Sequence, residues 1–280
     1  MTLTLFDLTY RTARELGIVT EGTATGGSAT TIIDTVERTE AEHHWKGGAV
    51  WILYDALGTG VSPQGKYGVV TAFASDTSTI TFSPTATDAV AAGDRYAVGK
   101  AAYPLNAIIS AVNRALSEIK IVTYDTTTVD AVASKTEYSI AVAANLDLRQ
   151  VWLQTQLNDA NDNKWAELLN WRVQRVGAGT ADLLVFPYQP CALYDVMLVY
   201  AAPHSPLYVY SDKLADNVDY RRVIYKAAYY LLLDKQLETG REDRVILDAM
   251  RRYEQRAQEA DDKFPINLPR KPGKLMIPEV

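Results

Sequence analysis

One stretch of the sequence has the residue types and spacing of a phosphate-binding loop. The segment GVSPQGKY, residues 60–67, follows a strand-like run and nearly matches the pattern in which glycines and a lysine hold a nucleotide's phosphates. Tyr67, however, stands where the pattern needs a small hydroxyl group to bind Mg²⁺. The residues that follow, GVVTAFA, are typical of a strand, whereas the mechanism needs a helix N-terminus there. The sequence therefore favours a glycine- and proline-containing hairpin loop over a nucleotide site.

A second stretch resembles the start of a calcium-binding loop. Asp159, Asn161 and Asn163 stand at alternate positions, as calcium ligands do. However, Lys164 stands where the loop requires glycine, and Asn170 stands where it requires a bidentate glutamate. This segment is more typical of a solvated turn.

The histidines and the single cysteine offer no better arrangement. His43 and His44 are adjacent and point in different directions, and Glu40 with His44 supplies only two ligands. Cys191 and His204 could form a nucleophile and base, but no neighbouring group activates the thiol. We therefore expect no catalytic residues, no metal and no cofactor, and a protein that is not an enzyme.

Bulk composition limits the class of protein further. The chain has 280 residues, is 48% hydrophobic and carries a formal net charge of −6, which argues against a dedicated nucleic-acid binder. One cysteine excludes an intrachain disulfide framework. The N-terminal residues lack the pattern of a signal peptide, and the apolar runs are far shorter than the ~20 residues that span a bilayer. We therefore expect no membrane partner.

The elements that would position any site alternate between helical and strand-like segments. Apolar residues at 3.6-residue spacing predict four helices, over residues 3–17, 103–120, 218–238 and 241–263. Gly240 separates the last two, which predicts an antiparallel helical hairpin. Residues 20–100 and 123–210 are rich in β-branched and aromatic residues with regular turn signals, which is typical of small antiparallel barrels or sandwiches.

These patterns predict an α+β fold in which a helical bundle carries two inserted β blocks. The bundle comprises residues 1–19, 101–122 and 211–263, the β blocks are residues 20–100 and 123–210, and an extended arm covers residues 264–280.

The arm combines features that neither a helix nor a central strand can hold. Its four prolines are incompatible with both elements, yet the segment is too apolar for an idle tail. We expect it to bury these groups on another polypeptide, with KLMI adding a strand to a partner's sheet and its basic residues facing an acidic groove. The alternative is that the arm wraps its own subunit or lies disordered. The predicted partner-binding residues are Phe264, Pro265, Ile266, Leu268, Pro269, Arg270, Lys271, Lys274, Leu275, Met276 and Ile277.

The helix predicted over residues 218–238 is apolar on two sides. One stripe suits the bundle, while Tyr225, Tyr229 and Leu232 could face a neighbouring subunit, since tyrosine is favoured at interfaces. Equally, both stripes could be buried within the chain.

Two stretches resemble proteins of tailed bacteriophages. Residues 219–264, DYRRVIYKAAYYLLLDKQLETGREDRVILDAMRRYEQRAQEADDKF, and the arm after them are similar to head–tail connector, or adaptor, proteins. Residues 45–99, with a Gly-Gly opening, a Thr-rich hairpin and AAGDRY, are similar to small β modules of phage particles.

The resemblance implies a structural protein of the virion, located at the head–tail junction. Connectors form a homo-oligomeric ring, commonly twelve-fold, beneath the portal protein, and their C-terminal arms dock on the portal. Their lower faces receive the tail or further neck proteins. DNA passes through the channel without specific binding, which an acidic wall favours because it repels phosphates.

Other roles remain open at this point. The β-rich sequence pattern is equally typical of another virion component, such as a tail-completion, stopper or capsid-associated protein. A carbohydrate-binding β module is a further alternative, because tryptophans can stack on sugars, although their strand-like surroundings favour core positions. The tryptophans are Trp45, Trp51, Trp152, Trp165 and Trp171.

Overall fold

The computed structural model describes residues 3–58, 62–132, 135–140, 147–154, 165–174, 182–189, 195–240 and 243–269. Within these ranges the chain forms four α-helices and three antiparallel sheets, which confirms the predicted α+β class. The chain divides into two compact units, one comprising Met1–Ile119 with Ser205–Pro265 and the other Lys120–His204 with Ile266–Val280. None of the helices in the described ranges is long and apolar enough to cross a membrane.

The four helices all belong to the first unit and lie where the apolar periodicity predicts them. They are α1 (Leu5–Glu15), α2 (Leu105–Ser117), α3 (Tyr220–Thr239) and α4 (Arg244–Lys263). Contacts join α1 to α2, α1 to α3, α2 to α3 and α3 to α4. Each helix thus buries its apolar stripe partly against another helix.

Side-chain caps explain where three of the helices begin. Thr4 and Asp7 form a capping box at α1, with the Asp7 carboxylate accepting from the Thr4 backbone at 2.9 Å. Asp219 and Asp243 accept from backbone N–H groups at the starts of α3 and α4. After α3 the chain turns at Gly240, whose φ of +61° is the left-handed conformation that glycine adopts readily.

The first unit also contains a seven-stranded antiparallel sheet. Its strands are β1 (Val19–Thr23), β2 (Gly26–Gly27), β3 (Thr31–Ile33), β4 (Ala49–Tyr54), β5 (Tyr67–Ala74), β6 (Thr79–Ser83) and β7 (Arg95–Gly99). Their order is β1-β7-β4-β5-β6-β3-β2, so the two edge strands are consecutive in the chain. The sheet encloses its own core of Ala24, Ile32, Trp45, Val50, Ile52, Val70, Phe73, Ile80, Phe82, Ala86, Val90, Tyr96 and Val98.

The second unit contains a four-stranded and a three-stranded sheet in its described parts. The strands are β8 (Lys120–Asp125), β9 (Glu137–Ile140), β10 (Asp147–Gln154), β11 (Trp165–Glu167), β12 (Arg172–Gln174), β13 (Asp182–Val185) and β14 (Val196–Pro203). The orders are β11-β10-β14-β8 and β12-β13-β9.

The strands of both β blocks pair antiparallel, as expected. The closed barrel, one of the two forms predicted for these blocks, is wrong, because no sheet in the described ranges closes. In the first unit no ladder joins the edge strands β1 and β2, although only Ala24 and Thr25 separate them in the chain.

Helix α1 connects the sheet of the first unit to the helices. On one side the Trp51 indole N–H of β4 donates to the Thr9 hydroxyl at 3.1 Å, and both residues are buried. At its end the Tyr253 hydroxyl of α4 donates to the Glu15 carbonyl at 2.9 Å. The middle of α4 is therefore fixed to a helix that is itself fixed to the sheet.

Candidate assembly surface

The α3–α4 pair forms the predicted antiparallel hairpin. Near its open end Arg222 Nε lies 2.6 Å from Asp261 Oδ1, as an ion pair and not as an aligned hydrogen bond. Further along, the rings of Tyr225 and Tyr253 stack with centroids 6.4 Å apart. The buried core of the hairpin consists of Ala228, Leu232, Met250 and Tyr253.

The three residues predicted at a subunit interface lie against this core. Tyr225 is half-buried between Tyr253 and the Arg256 guanidinium, which lies 5.7 Å from its ring centroid. Tyr229 is half-buried, with its ring at the edge of Tyr230. Leu232 is only 7% exposed. The chain itself thus covers much of this stripe, and a role between subunits stays a prediction.

The predicted arm begins where α4 ends at Lys263. Phe264 is 45% exposed, and the next residue, Pro265, has no N–H group with which to continue the helix. Of the arm residues that follow, Pro265 is exposed, and Ile266, Leu268 and Pro269 are half-buried. The remaining predicted residues, Arg270, Lys271, Lys274, Leu275, Met276 and Ile277, lie outside the described residues.

A series of stacked cations and rings holds the first residue of the arm. The Arg221 guanidinium lies 4.8 Å from the Phe264 ring centroid, and Arg11 of α1 lies 5.0 Å from the ring of the neighbouring Tyr220. Arg221 is oriented by Asp219, 3.4 Å from its Nε. The roles of Arg11 and Arg221 could not be predicted from the sequence, because these residues are distant in the chain and share no periodic pattern with Phe264.

The last turn of α4 carries a second contact with α3. Burial raises the pKa of the Asp261 carboxyl above its ordinary value, and the positive charges of Arg222 and Lys226 offset part of that rise. The two cations thus favour the charged carboxylate at the point where the helix gives way to the arm.

Residues 62–66 of the phosphate-loop candidate lie in the connection between β4 and β5, and Gly60 and Val61 lie outside the described residues. β4 and β5 pair antiparallel on either side of it, which confirms the strand predicted at Tyr67. The Lys66 ammonium contacts the Tyr210 hydroxyl and lies 3.8 Å from that ring's centroid. This lysine is therefore engaged with a tyrosine of its own chain.

The other candidates for chemistry are dispersed. No group of three or more His, Cys, Asp or Glu side chains in the described part of the chain could hold a metal ion. His43 lies in a turn with its Nδ1 3.5 Å from Glu42, and the ring of His44 packs against Trp45. His204 is buried. Cys191 and residues 159–164 of the calcium-loop candidate lie outside the described residues.

The five tryptophans form no exposed stacking platform. Trp45 and Trp51 are buried in the first unit, and Trp152, Trp165 and Trp171 are half-buried in the second. Sugar stacking needs an accessible ring face, so these positions favour the core role.

Comparison with known sequences identifies no relative of this chain. No protein-family model matches the chain, and no curated protein sequence matches it. The helical hairpin and the apolar segment that follows it are therefore the features from which a function can be argued.

Proposed function

We propose that this protein is a structural component of a tailed-phage particle that forms a ring at the head–tail junction. In this proposal the four helices pack as one bundle that builds the ring. The C-terminal arm docks on the portal protein, and the opposite face receives the tail or another neck protein. DNA passes through the channel without being held.

One observation carries the proposal: the way the chain leaves the helical hairpin. The apolar face of α4, including Tyr253, Ala257 and Ala260, is buried within the subunit. The chain then continues from Phe264 as a non-helical, proline-containing segment whose first aromatic ring is 45% exposed. Apolar groups on a segment that has left its helix suit burial on a second polypeptide, where prolines reduce the entropy lost on docking.

The rigidity of the arm's base supports the same reading. Phe264 is stacked by Arg221, and the preceding turn is paired to α3 through Arg222 and Asp261. A docking segment that emerges from a fixed point reaches its partner with less lost freedom than one that emerges from a loose terminus.

Charge supports the passage of DNA. The chain has a formal net charge of −6, so a ring of many copies presents an acidic wall on average. Such a wall does not retain a phosphate backbone, because retention requires lysine or arginine at the phosphates.

Deletion of residues 264–280 tests the arm. We expect the truncated protein to keep the helical circular dichroism and cooperative unfolding of the full chain, because the hairpin core lies before Phe264. Co-expression with the portal protein of the same phage should yield a complex for the full chain and none for the truncated chain. Portal binding that survives the deletion would refute the docking role of the arm.

The ring itself needs a separate measurement. Native mass spectrometry and negative-stain electron microscopy of the full chain, alone and with the portal, should reveal closed rings of one stoichiometry. A protein that stays monomeric under both conditions is not a connector. Rings that form without any affinity for the portal would point to another component of the particle.

A further inference from the structure

A groove on the first unit has features of a binding surface that the proposed function does not use. It lies between one face of α1 and the strands β1, β4 and β7, and has a volume of about 610 Å³. Three arginines and two tyrosines contribute to its walls, namely Arg11, Arg14, Arg95, Tyr10 and Tyr54. Arginine and tyrosine are among the residue types enriched where proteins bind one another.

One carboxylate in the groove organises part of this set. Glu21 lies 3.6 Å from Arg14 Nε, accepts a hydrogen bond from Arg95 Nη2 at 3.2 Å and accepts another from the Tyr10 hydroxyl at 2.6 Å. Burial, followed by the hydrogen bond to Glu21, raises the pKa of Tyr10 to about 12, so the phenol stays a donor. Two cations and a phenol are thus held around a single negative charge.

The third arginine has no carboxylate partner among the described residues. Arg11 is half-buried, and its guanidinium contacts the ring of Tyr220 at 5.0 Å. The nearby acid on the same helix, Asp7, already accepts from the backbone and the hydroxyl of Thr4 in the capping box. The groove therefore has an excess of guanidinium donors over acceptors, and these donors point to an anionic ligand.

We propose that this groove binds an acidic segment of a partner protein. Carboxylates of the segment pair with Arg11 and Arg14, and an apolar or aromatic side chain of the segment packs against Tyr10 and Tyr54. The groove residues lie on α1 and the sheet, and only Arg11, through Tyr220, also belongs to the stack at the base of the arm. The single variant Arg14→Gln therefore tests the groove separately from the portal-docking function.

A protein segment fits the groove better than a nucleic acid does. Asp7 and Glu21 are part of the walls and would repel a continuous run of phosphates, whereas discrete carboxylates can be placed between them. Exposed Tyr54 and half-buried Tyr10 also supply apolar contact area beside the cations.

Fluorescence anisotropy at low ionic strength tests the proposal with defined probes. These are a labelled peptide of alternating glutamate and tyrosine, the same peptide with glutamine in place of glutamate, and a labelled oligothymidylate. We expect the full-length protein to bind the glutamate peptide in preference to both others. The variant Arg11→Gln/Arg14→Gln should bind it at least about tenfold more weakly, since charge-assisted hydrogen bonds are lost.

Two further variants sharpen the result. Arg251→Gln/Arg252→Gln removes the same charge from exposed positions of α4 and should leave affinity unchanged. Glu21→Gln should strengthen binding, because it releases Arg14 and Arg95 from their internal partner. A merely unspecific charge effect would weaken binding equally in both double variants and would overturn the proposal.

Two outcomes would show that the groove binds something other than an acidic protein segment. If oligothymidylate binds as well as the glutamate peptide and with the same dependence on Arg11 and Arg14, the groove is a nucleic-acid site. If sedimentation shows that the protein alone self-associates and that Arg11→Gln/Arg14→Gln abolishes this, the occupant is a second copy of the chain. Either result would overturn the proposal of a separate acidic partner.

Discussion

Asp34, Arg38 and Tyr96 form a buried polar cluster inside the seven-stranded sheet. The Tyr96 hydroxyl donates to Asp34 Oδ2 at 2.7 Å and accepts from Arg38 Nε at 2.6 Å. Burial and the hydrogen bond to Asp34 raise the pKa of this phenol, which keeps it protonated as a donor. Arg38 also donates to the Glu21 carbonyl at 3.0 Å. The cluster thus ties the segment after β3 to β1 and β7.

Removing the cation of this cluster should be costly. Arg38 is only 1% exposed and Asp34 is fully buried, so Arg38→Leu leaves a carboxylate inside the unit without its positive partner. We expect the free energy of unfolding in urea to fall by about 3–5 kcal/mol. The control Arg251→Leu, at a side chain 81% exposed, should change it by less than about 0.5 kcal/mol. Equal effects of both substitutions would mean that the cluster is not stabilising.

Such a cluster is hard to predict from sequence, because no local pattern marks it. Arg38 stands in the segment TVERTEAE, whose charges are typical of a solvated loop. Its burial depends on two partners from distant strands, and on Gly22, where an added Cβ would lie 2.7 Å from Arg38 Nη2. The pairing is a consequence of the tertiary fold, so only the structure identifies it.

At the scale of elements, the helices were predictable because periodicity and caps act locally. The apolar stripes place all four helices to within a few residues, and Gly240 marks the break in the hairpin. The β blocks were predictable as antiparallel strands, but whether their sheets close depends on strand order, which local propensity does not encode. In the same way Phe264 could be assigned to the segment that follows α4 from the prolines after it, whereas the arginine that stacks on it could not be predicted.

The hairpin itself allows a test of which surface is internal. Leu232 is 7% exposed in the core of α3 and α4, and Leu237 on the same helix is 71% exposed. Leu232→Ala should lower the free energy of unfolding by about 2–5 kcal/mol, whereas Leu237→Ala should change it by less than about 0.5 kcal/mol.

The dependence of stability on protein concentration shows whether Leu232 is buried within one subunit or between subunits. If Leu232 is internal, the difference in unfolding temperature between Leu232→Ala and the parent protein should be the same at low and high protein concentration. If the side chain lies between subunits, that difference should vary with concentration, because association is then part of the transition.

For the molecule as a whole, the main segment of the second unit, Lys120–His204, is an insertion between two stretches of the first unit. β8 and β14 begin and end the insertion as an antiparallel pair in which Lys120 lies opposite Pro203, so their Cα atoms are within about 5.5 Å. Just after the return, Asn113 of α2 donates to the Leu207 carbonyl and accepts from the Leu207 N–H, both at 2.8 Å. Within the first unit, the contact between Asn113 and Leu207 therefore holds the end of α2 near the point where the chain returns.

Replacing residues 120–204 with a short Gly-Ser linker should consequently leave a folded first unit. The linker closes a small gap, and loop closure costs little when the ends are already adjacent. We expect cooperative urea unfolding, near-ultraviolet circular dichroism from buried Trp45 and Trp51, and retention of the helical signal. The same excision combined with Asn113→Ala should have a measurably lower free energy of unfolding than the excision alone. The substitution removes both hydrogen bonds between the Asn113 side chain and the Leu207 backbone, which hold the segment between the linker and α3 against α2. A non-cooperative transition in the excised chain would mean that the two units fold as one.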